Sequence, residues 1–340
     1  MAERFPIGKL PAAELERLLS RYARTTDPRV LVGPGIGRDA AAIAFGSTAL
    51  VAKTDPITFA TDRIGWYAVH INANDLAVMG AIPRWFLATV LLPDDGTTVE
   101  LVECIFAGLS EACDELGITL CGGHTEITYG LTRPILVGQM LGEAAVDRLV
   151  TTSGARVGDA ILLTKGIAIE ATALIAREKA EDLRGRFPDE LLQRCRDYLT
   201  DPGLSVVREA RIAVETGGVH AMHDPTEGGL ATGLREIGAA AGVGVLCEDD
   251  QIPVLPESAA LCAVYGLDPL GTIASGALVL TVVPEAAPAM ISRLAADGIP
   301  ATRIGTIMPA EFGFKIRRAG TISDLPVFQR DEIGKVFEEE

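Results

Sequence analysis

The sequence predicts an α+β protein built from two domains. Three observations carry this. The chain has 340 residues, about two domains at roughly 150 residues each. Short apolar runs alternate with helical patterns in both halves, which suggests mixed helix and sheet layers. A turn-rich stretch of mixed charge, Glu143 to Asp159, separates the halves. The expected domains are 1–150 and 151–320, followed by an acidic C-terminal tail, 321–340.

Composition narrows the function. Hydrophobic residues make up 48% and charged residues 22%, enough to bury a good core. The formal net charge of −16 argues against nucleic acid and anionic membranes as partners, because both attract basic patches. No apolar run approaches the ~20 residues of a membrane span. Met1 to Pro6 shows no apolar signal core. A soluble, cytoplasmic protein is expected. The six cysteines form no C-x-x-C pair, and most of them read as reduced, buried, structural thiols. Four histidines without ligand spacing make a zinc site improbable.

In the first half, Lys9 to Tyr22 reads as a helix and Val30 to Val32 as a strand. Gly33-Pro34-Gly35-Ile36-Gly37-Arg38-Asp39 follows. Arg38 stands where a dinucleotide fingerprint needs its third glycine, and Ala41 to Ala44 reads as a strand, so a Rossmann site is rejected. No P-loop motif occurs. A strand from Ala49 to Lys53 delivers Thr54-Asp55. Trp66 to Gly80 is a helix of small residues in which Asn72 and Asp75 share a face at i, i+3. A metal or phosphate site is favoured there over a surface pair. Thr97-x-x-Glu100 reads as a capping box opening a helix to Leu116. The next strand runs into Gly122-Gly123-His124-Thr125-Glu126, and Ile135 to Leu141 is another strand.

In the second half, Ala160 to Thr164 is a strand and Ile167 to Lys179 a helix. Arg184 to Thr200 reads as a polar helical linker, and Leu204 to Glu215 as a helix. A strand from Val219 to Met222 then reaches the elbow His223-Asp224-Pro225-Thr226-Glu227-Gly228-Gly229. Leu230, Leu234 and Ile237 follow on one buried helix face. Strand, glycine turn and helix N-terminus form a ready anion site; an ordinary tight turn is the alternative. Strands at Val243 to Cys247, Ala277 to Val283 and Thr302 to Ile307 follow, with a polar turn at Gly271 to Gly276 and a helix at Ala286 to Ala296.

Asp39, Asp55, Asp75 and Glu126 thus sit in or beside glycine-rich turns of the first half, and Asp224 in the second. Mg²⁺ takes such hard oxygen ligands together with substrate phosphates. Lys53 and Lys165 could each meet a phosphate, with a salt bridge equally open.

Five pieces in order, Gly37-Arg38-Asp39-Ala40-Ala41, Thr54-Asp55, Asn74-Asp75-Leu76-Ala77-Val78-Met79-Gly80-Ala81, Gly122-Gly123-His124-Thr125-Glu126 and Asp224-Pro225-Thr226-Glu227-Gly228-Gly229-Leu230-Ala231, resemble the aminoimidazole-ribonucleotide-synthase-like (PurM-type) superfamily. The last piece looks closest to its HypE-type branch. The resemblance implies a PurM-like architecture: an N-terminal domain that dimerises through a β-barrel and a C-terminal α/β layer domain, with ATP and Mg²⁺ between these parts. It implies phosphoryl transfer to an amide, carbonyl or similar oxygen of a small molecule. By resemblance, Asp39, Asp55, Asp75 and Glu126 hold metal. Thr54, Asn72, Gly122, Gly123, His124, Thr125, Gly228 and Gly229 line the nucleotide. Asp55, Asp75 and Asp224 are the expected catalytic groups, and Thr226 faces the acceptor or phosphates. Two alternatives stay open: a nucleotide-binding maturation partner acting in a protein complex, and a metabolite kinase of the thiamine-monophosphate-kinase type. The chain departs from the branch in two places. His124 replaces an aspartate, and no cysteine follows Cys262, so a tail-borne carbamoyl acceptor is not expected.

Overall fold

The computed structural model describes residues 10–23, 25–57 and 62–337. Lys9, the expected start of the first helix, and Glu338 to Glu340 of the acidic tail lie outside the described residues. The first half holds α1 (Ala12–Tyr22), β1 (Val30–Val32), β2 (Ala41–Phe45), β3 (Thr48–Ile57), α2 (Ile64–Ala77), β4 (Ile82–Pro93), α3 (Val99–Leu116), β5 (Thr119–Thr128) and β6 (Ile135–Ala145). The second holds β7 (Ala160–Thr164), α4 (Ile169–Glu178), α5 (Ala180–Leu183), α6 (Asp189–Asp197), α7 (Val207–Thr216), β8 (Val219–His223), α8 (Gly229–Ala241), β9 (Gly244–Glu248), α9 (Pro256–Tyr265), β10 (Val279–Val282), α10 (Ala287–Ala296), β11 (Ala301–Met308), β12 (Phe314–Arg318), β13 (Thr321–Asp324) and α11 (Gly334–Phe337).

Two compact units result. One, the N-terminal unit, comprises Thr25–Gly33 and Asp39–Leu149. The other, the C-terminal unit, runs from Val150 onward and also takes in α1 and Pro34–Arg38.

The N-terminal unit is a six-stranded sheet in the order β1-β2-β3-β6-β4-β5. All pairs are antiparallel except β4 with β5, and α3 makes the crossover that a parallel pair needs. Helix α2 is apolar nearly all round, and all of its residues are buried, as expected of a core helix. Gly65 lets it meet α3: a Cβ there would lie 2.3 Å from the Ile105 carbonyl oxygen. Helix α3 is capped by Thr98, whose hydroxyl accepts from the Leu101 N–H at 3.2 Å. The capping box expected at Thr97 is therefore displaced by one residue; the Thr97 hydroxyl turns back to the Pro93 carbonyl. Strand β5 is an edge strand whose residues are exposed on both faces up to Ile127.

The C-terminal unit is a seven-stranded sheet in the order β13-β12-β9-β11-β7-β10-β8, with β12 and β9 parallel and the other pairs antiparallel. Strand β7 is fully buried. Alternate residues of a strand face opposite ways, so both faces of this sheet are covered. Leu230, Leu234 and Ile237 of α8 sit in its core with Ile161, Leu163 and Val245.

Two expectations are corrected here. The segment read as a polar helical linker, Arg184 to Thr200, is helical at α6 as expected, but it is packed rather than a linker: Leu192 and Cys195 are buried. The Tyr198 hydroxyl donates to Glu257 on α9 at 2.9 Å, and Arg194 pairs with the same carboxylate at 2.8 Å. The stretch from residue 321, read as an acidic tail, is ordered to Phe337. It supplies β13 and buries Leu325, Ile333 and Val336.

Candidate functional site

Two strands and one helix build the acidic group of the N-terminal unit. Strand β3 places Lys53 and Asp55 on the same face, two residues apart. Asp39 lies just before β2 and is buried. Helix α2 brings Asp75 beneath them at 5% exposure. The Lys53 ammonium is 3.3 Å from Asp75 Oδ1 and 3.8 Å from Asp55 Oδ2. Asp75 Oδ2 is buried without a hydrogen-bond partner. Burial pushes the Asp75 carboxyl up to about 7; Lys53 opposes this, while Asp55 and Asp39 add to it. Asp55 and Asp75 thus share one ammonium, and Asp39 is near enough to push the Asp75 carboxyl up.

Neighbouring residues hold this group in place. Asn72 is fully buried, and its amide donates to the Ala68 carbonyl at 2.9 Å and the Asp55 carbonyl at 3.3 Å. Its amide thus holds the backbone at Asp55, while its Oδ1 is buried without a hydrogen-bond partner. Gly138 of β6 makes room for it, since a Cβ there would lie 2.4 Å from the Asn72 amide nitrogen. The Thr54 hydroxyl donates to the Gly138 carbonyl at 2.9 Å.

Gly122, Gly123, His124, Thr125 and Glu126 are elsewhere. They lie on β5, three strands from β3, about 14 Å at ~4.8 Å per strand. Glu126 is thus not a fourth ligand beside the aspartates of its own chain. Its carboxylate pairs with His124 Nε2 at 3.0 Å, and both side chains are exposed. Gly122, Gly123, His124 and Thr125 border an open cavity of about 330 Å³, lined also by Ala88, Phe106, Leu109 and Leu120. Only glycine fits at position 123, where a Cβ would lie 1.9 Å from the Ala88 carbonyl oxygen.

In the C-terminal unit the elbow ends β8 and opens α8. Asp224 is buried at 2% exposure, and His223 Nε2 meets Glu236 at 2.9 Å. Gly228 and Gly229 both have positive φ. Their expected role on a ligand phosphate is not what the geometry shows. The Gly228 N–H donates to Asp331 Oδ2 at 2.6 Å. The space a Cβ would need at Gly229 is taken by the Leu270 and Thr272 carbonyls, at 2.6 and 2.7 Å. Asp331 also accepts from the Ile273 and Ile333 N–H groups, at 3.1 and 2.8 Å. The anion at the start of α8 is thus the chain's own carboxylate. Nothing in the local sequence pattern signals Asp331, which lies 103 residues beyond Gly228.

Glu170 was also not singled out by sequence. It sits in the first turn of α4, and its Oε2 is buried without a partner. Burial raises it to about 7, against the pull of Ser275 and with the push of Asp331 and Glu227. A carboxyl raised in the folded state holds a proton that the unfolded chain releases. Its effect on stability is therefore favourable at low pH and lost as pH rises from about 4.5 to about 7. Glu170→Gln is expected to flatten that segment of a urea-denaturation series against pH and to raise stability at pH 8 by on the order of 2 kcal/mol.

Residues 37–144 match the N-terminal domain of AIR synthase related proteins, and residues 156–315 match their C-terminal domain. The chain belongs to the AIR synthase related family. This family includes enzymes to which the chain is similar along most of its length. It is 30% identical over 285 residues to a carbamoyl dehydratase HypE of Rhizobium leguminosarum bv. viciae, covering 80% of this chain and 77% of that protein. It is 29% identical over 335 residues to a selenide, water dikinase of Photorhabdus laumondii subsp. laumondii, covering 90% and 92%. Among solved structures, HypE in a HypE–HypF complex superposes with a TM-score of 0.75 at 22% identity, covering 92% of this chain and 99% of that one. The hydrogenase maturation protein HypE in complex with ATP superposes with a TM-score of 0.71 at 25% identity, covering 93% and 95%. The α+β, two-domain PurM-like fold expected from the motifs is the one observed.

Proposed function

We propose that this AIR synthase related protein is an ATP- and Mg²⁺-dependent phosphoryl-transfer enzyme that activates an amide, carbonyl or similar oxygen of a small molecule. The observation that carries this reading is the Asp39–Asp55–Asp75 group with the orphaned Oδ2 of Asp75. A buried carboxylate oxygen without a partner is unfavourable unless the site takes a hard cation through it. The donor set is all oxygen, as Mg²⁺ requires, and one or two carboxylates are its usual protein share. The residues present therefore fit the ion. Asp55 and Asp75 would hold it, with Asp39 beside them. Bound there, it would supply positive charge against the phosphates of ATP.

The chain's own residues do the rest. Asn72 fixes the backbone of Asp55. Lys53 supplies a positive charge beside both carboxylates. The likeness to carbamoyl dehydratase HypE and to HypE bound to ATP supports both the nucleotide and a carboxamide-type acceptor.

The exposed β5 edge supports a homodimer. An edge strand open on both faces is a liability unless it is covered, and a second copy is the occupant implied by the resemblance. Its Gly122 to Thr125 stretch then lies at the interface, where it can contribute to a nucleotide site. The HypE–HypF complex favours a second reading, in which the enzyme works with a protein partner.

The test is ATP turnover in magnesium across candidate carboxamide and carbamoyl compounds, scored for ADP and AMP. Acceptor-dependent ADP without AMP is expected. AMP formation would place the chain with the dikinases instead, and no turnover with any acceptor or partner protein would sink the enzymatic reading.

A further inference from the structure

We propose that Lys53 is a built-in counter-ion of the Asp55–Asp75 pair, which a divalent cation displaces so that the ammonium is handed to the nucleotide phosphates. This rests on the reading of the acidic group as the metal site. Lys53 Nζ lies between two carboxylates, 3.3 Å from one and 3.8 Å from the other. An ammonium is a compact, strongly hydrated point charge on a flexible four-carbon stem. It can therefore hold a carboxylate pair together and then swing away. The side chain is 22% exposed, so water and ligand can reach it. Lys165 lies deeper: its side chain is 4% exposed, and it donates to two carbonyls as well as pairing with Glu209.

The Lys53 ammonium leaves Asp75 Oδ2 without a partner. It therefore fills the site only in part. A doubly charged ion bound between the same oxygens would lie within a few ångströms of the ammonium, and two like charges that close repel strongly in a partly buried site. One of them has to move, and the carboxylates favour the ion that satisfies more of their oxygens. The released ammonium then sits beside a cluster of phosphates that needs positive charge.

The consequence is a pair of opposite effects from one substitution. Without nucleotide, Lys53→Met removes a competitor for the metal. With nucleotide and no metal, it removes the cation that faces both carboxylates. The probe is Mn²⁺, followed by its free-ion electron paramagnetic resonance signal at pH 8.5, alongside calorimetry of ATP in EDTA. Lys53→Met is expected to bind Mn²⁺ roughly tenfold tighter than wild type and metal-free ATP roughly tenfold more weakly. Lys53→Arg, which keeps the charge, is expected to stay within about threefold of wild type for Mn²⁺. Lys53→Gln, with its neutral polar side chain, repeats the Lys53→Met test should the apolar residue disturb folding. Equal or weaker Mn²⁺ binding by folded Lys53→Met or Lys53→Gln would overturn the proposal. An Asp75→Asn control separates the two levels. If wild type binds Mn²⁺ and Asp75→Asn does not, a null result at Lys53 sinks only the exchange. If Asp75→Asn binds as wild type does, the site itself has been misplaced and the exchange falls with it.

Discussion

Asp75→Asn is expected to lose magnesium-dependent ATP turnover by a factor of about 10² or more, which is about 2.7 kcal/mol of transition-state stabilisation. Phosphoryl transfer is largely positioning and charge neutralisation, so the group that anchors the cation carries much of the effect. Asparagine keeps the shape of the side chain and removes its charge. It also removes the repulsion from Asp55 and Asp39 that helps hold the Asp75 carboxyl at about 7. Folding should therefore survive, and the substituted protein should be at least as stable as wild type in urea. Loss of turnover with retained stability separates a site residue from a core residue. Comparable loss of both would place Asp75 in the scaffold instead.

The second large effect is on stability and comes from the other unit. Lys165 and Glu209 pair at 2.8 Å with both side chains 4% exposed. Lys165 also donates to the Gly203 and Ser205 carbonyls, at 2.9 and 2.8 Å. Burial pulls the Lys165 ammonium below its ordinary value, and Glu209 pulls it back. Glu209→Ala leaves a buried ammonium without its counter-charge. Breaking such a pair from one side costs about 3–5 kcal/mol, a large part of the ~5–15 kcal/mol that holds a domain folded. The double variant Lys165→Met/Glu209→Leu should recover most of that loss, because an apolar pair of similar volume removes both charges together. Urea denaturation of the three variants checks this, and equal stability of Glu209→Ala and wild type would refute it.

The parts of the fold legible in the sequence are those with strong local signals. Strand β7 and helix α8 show them plainly, through an unbroken apolar run and an i, i+4, i+7 stripe. Strand β4 carries an apolar run from Trp85 to Leu92, broken only by Thr89, but its start is obscured. Pro83 and Arg84 interrupt its start, where its register with β6 is irregular, and its sequence does not alternate cleanly. Helix α9 is rich in alanine and has no clear apolar stripe. In the site, Asp75 was legible because an acid on a helix of small, buried residues is costly without a purpose. Lys53 carried a signal too, since it shares a strand face with Asp55 at i, i+2. Asp331 carried none. Its partners are backbone N–H groups in distant turns, and no spacing along the chain encodes that meeting. The elbow at Gly228 and Gly229 shows the same limit from the other side. Local reasoning identifies an anion position at a helix start, while the tertiary fold decides that the anion is internal.

The central claim is that Asp55 and Asp75 hold a magnesium ion on which ATP binding depends. Calorimetric titration of wild type with ATP, once in magnesium and once in EDTA, tests it most directly. Binding at least about tenfold tighter in magnesium, a difference of about 1.4 kcal/mol that disappears in Asp75→Asn, is the predicted result. Equal ATP affinity in magnesium and EDTA, or a magnesium effect undiminished in Asp75→Asn, would contradict it.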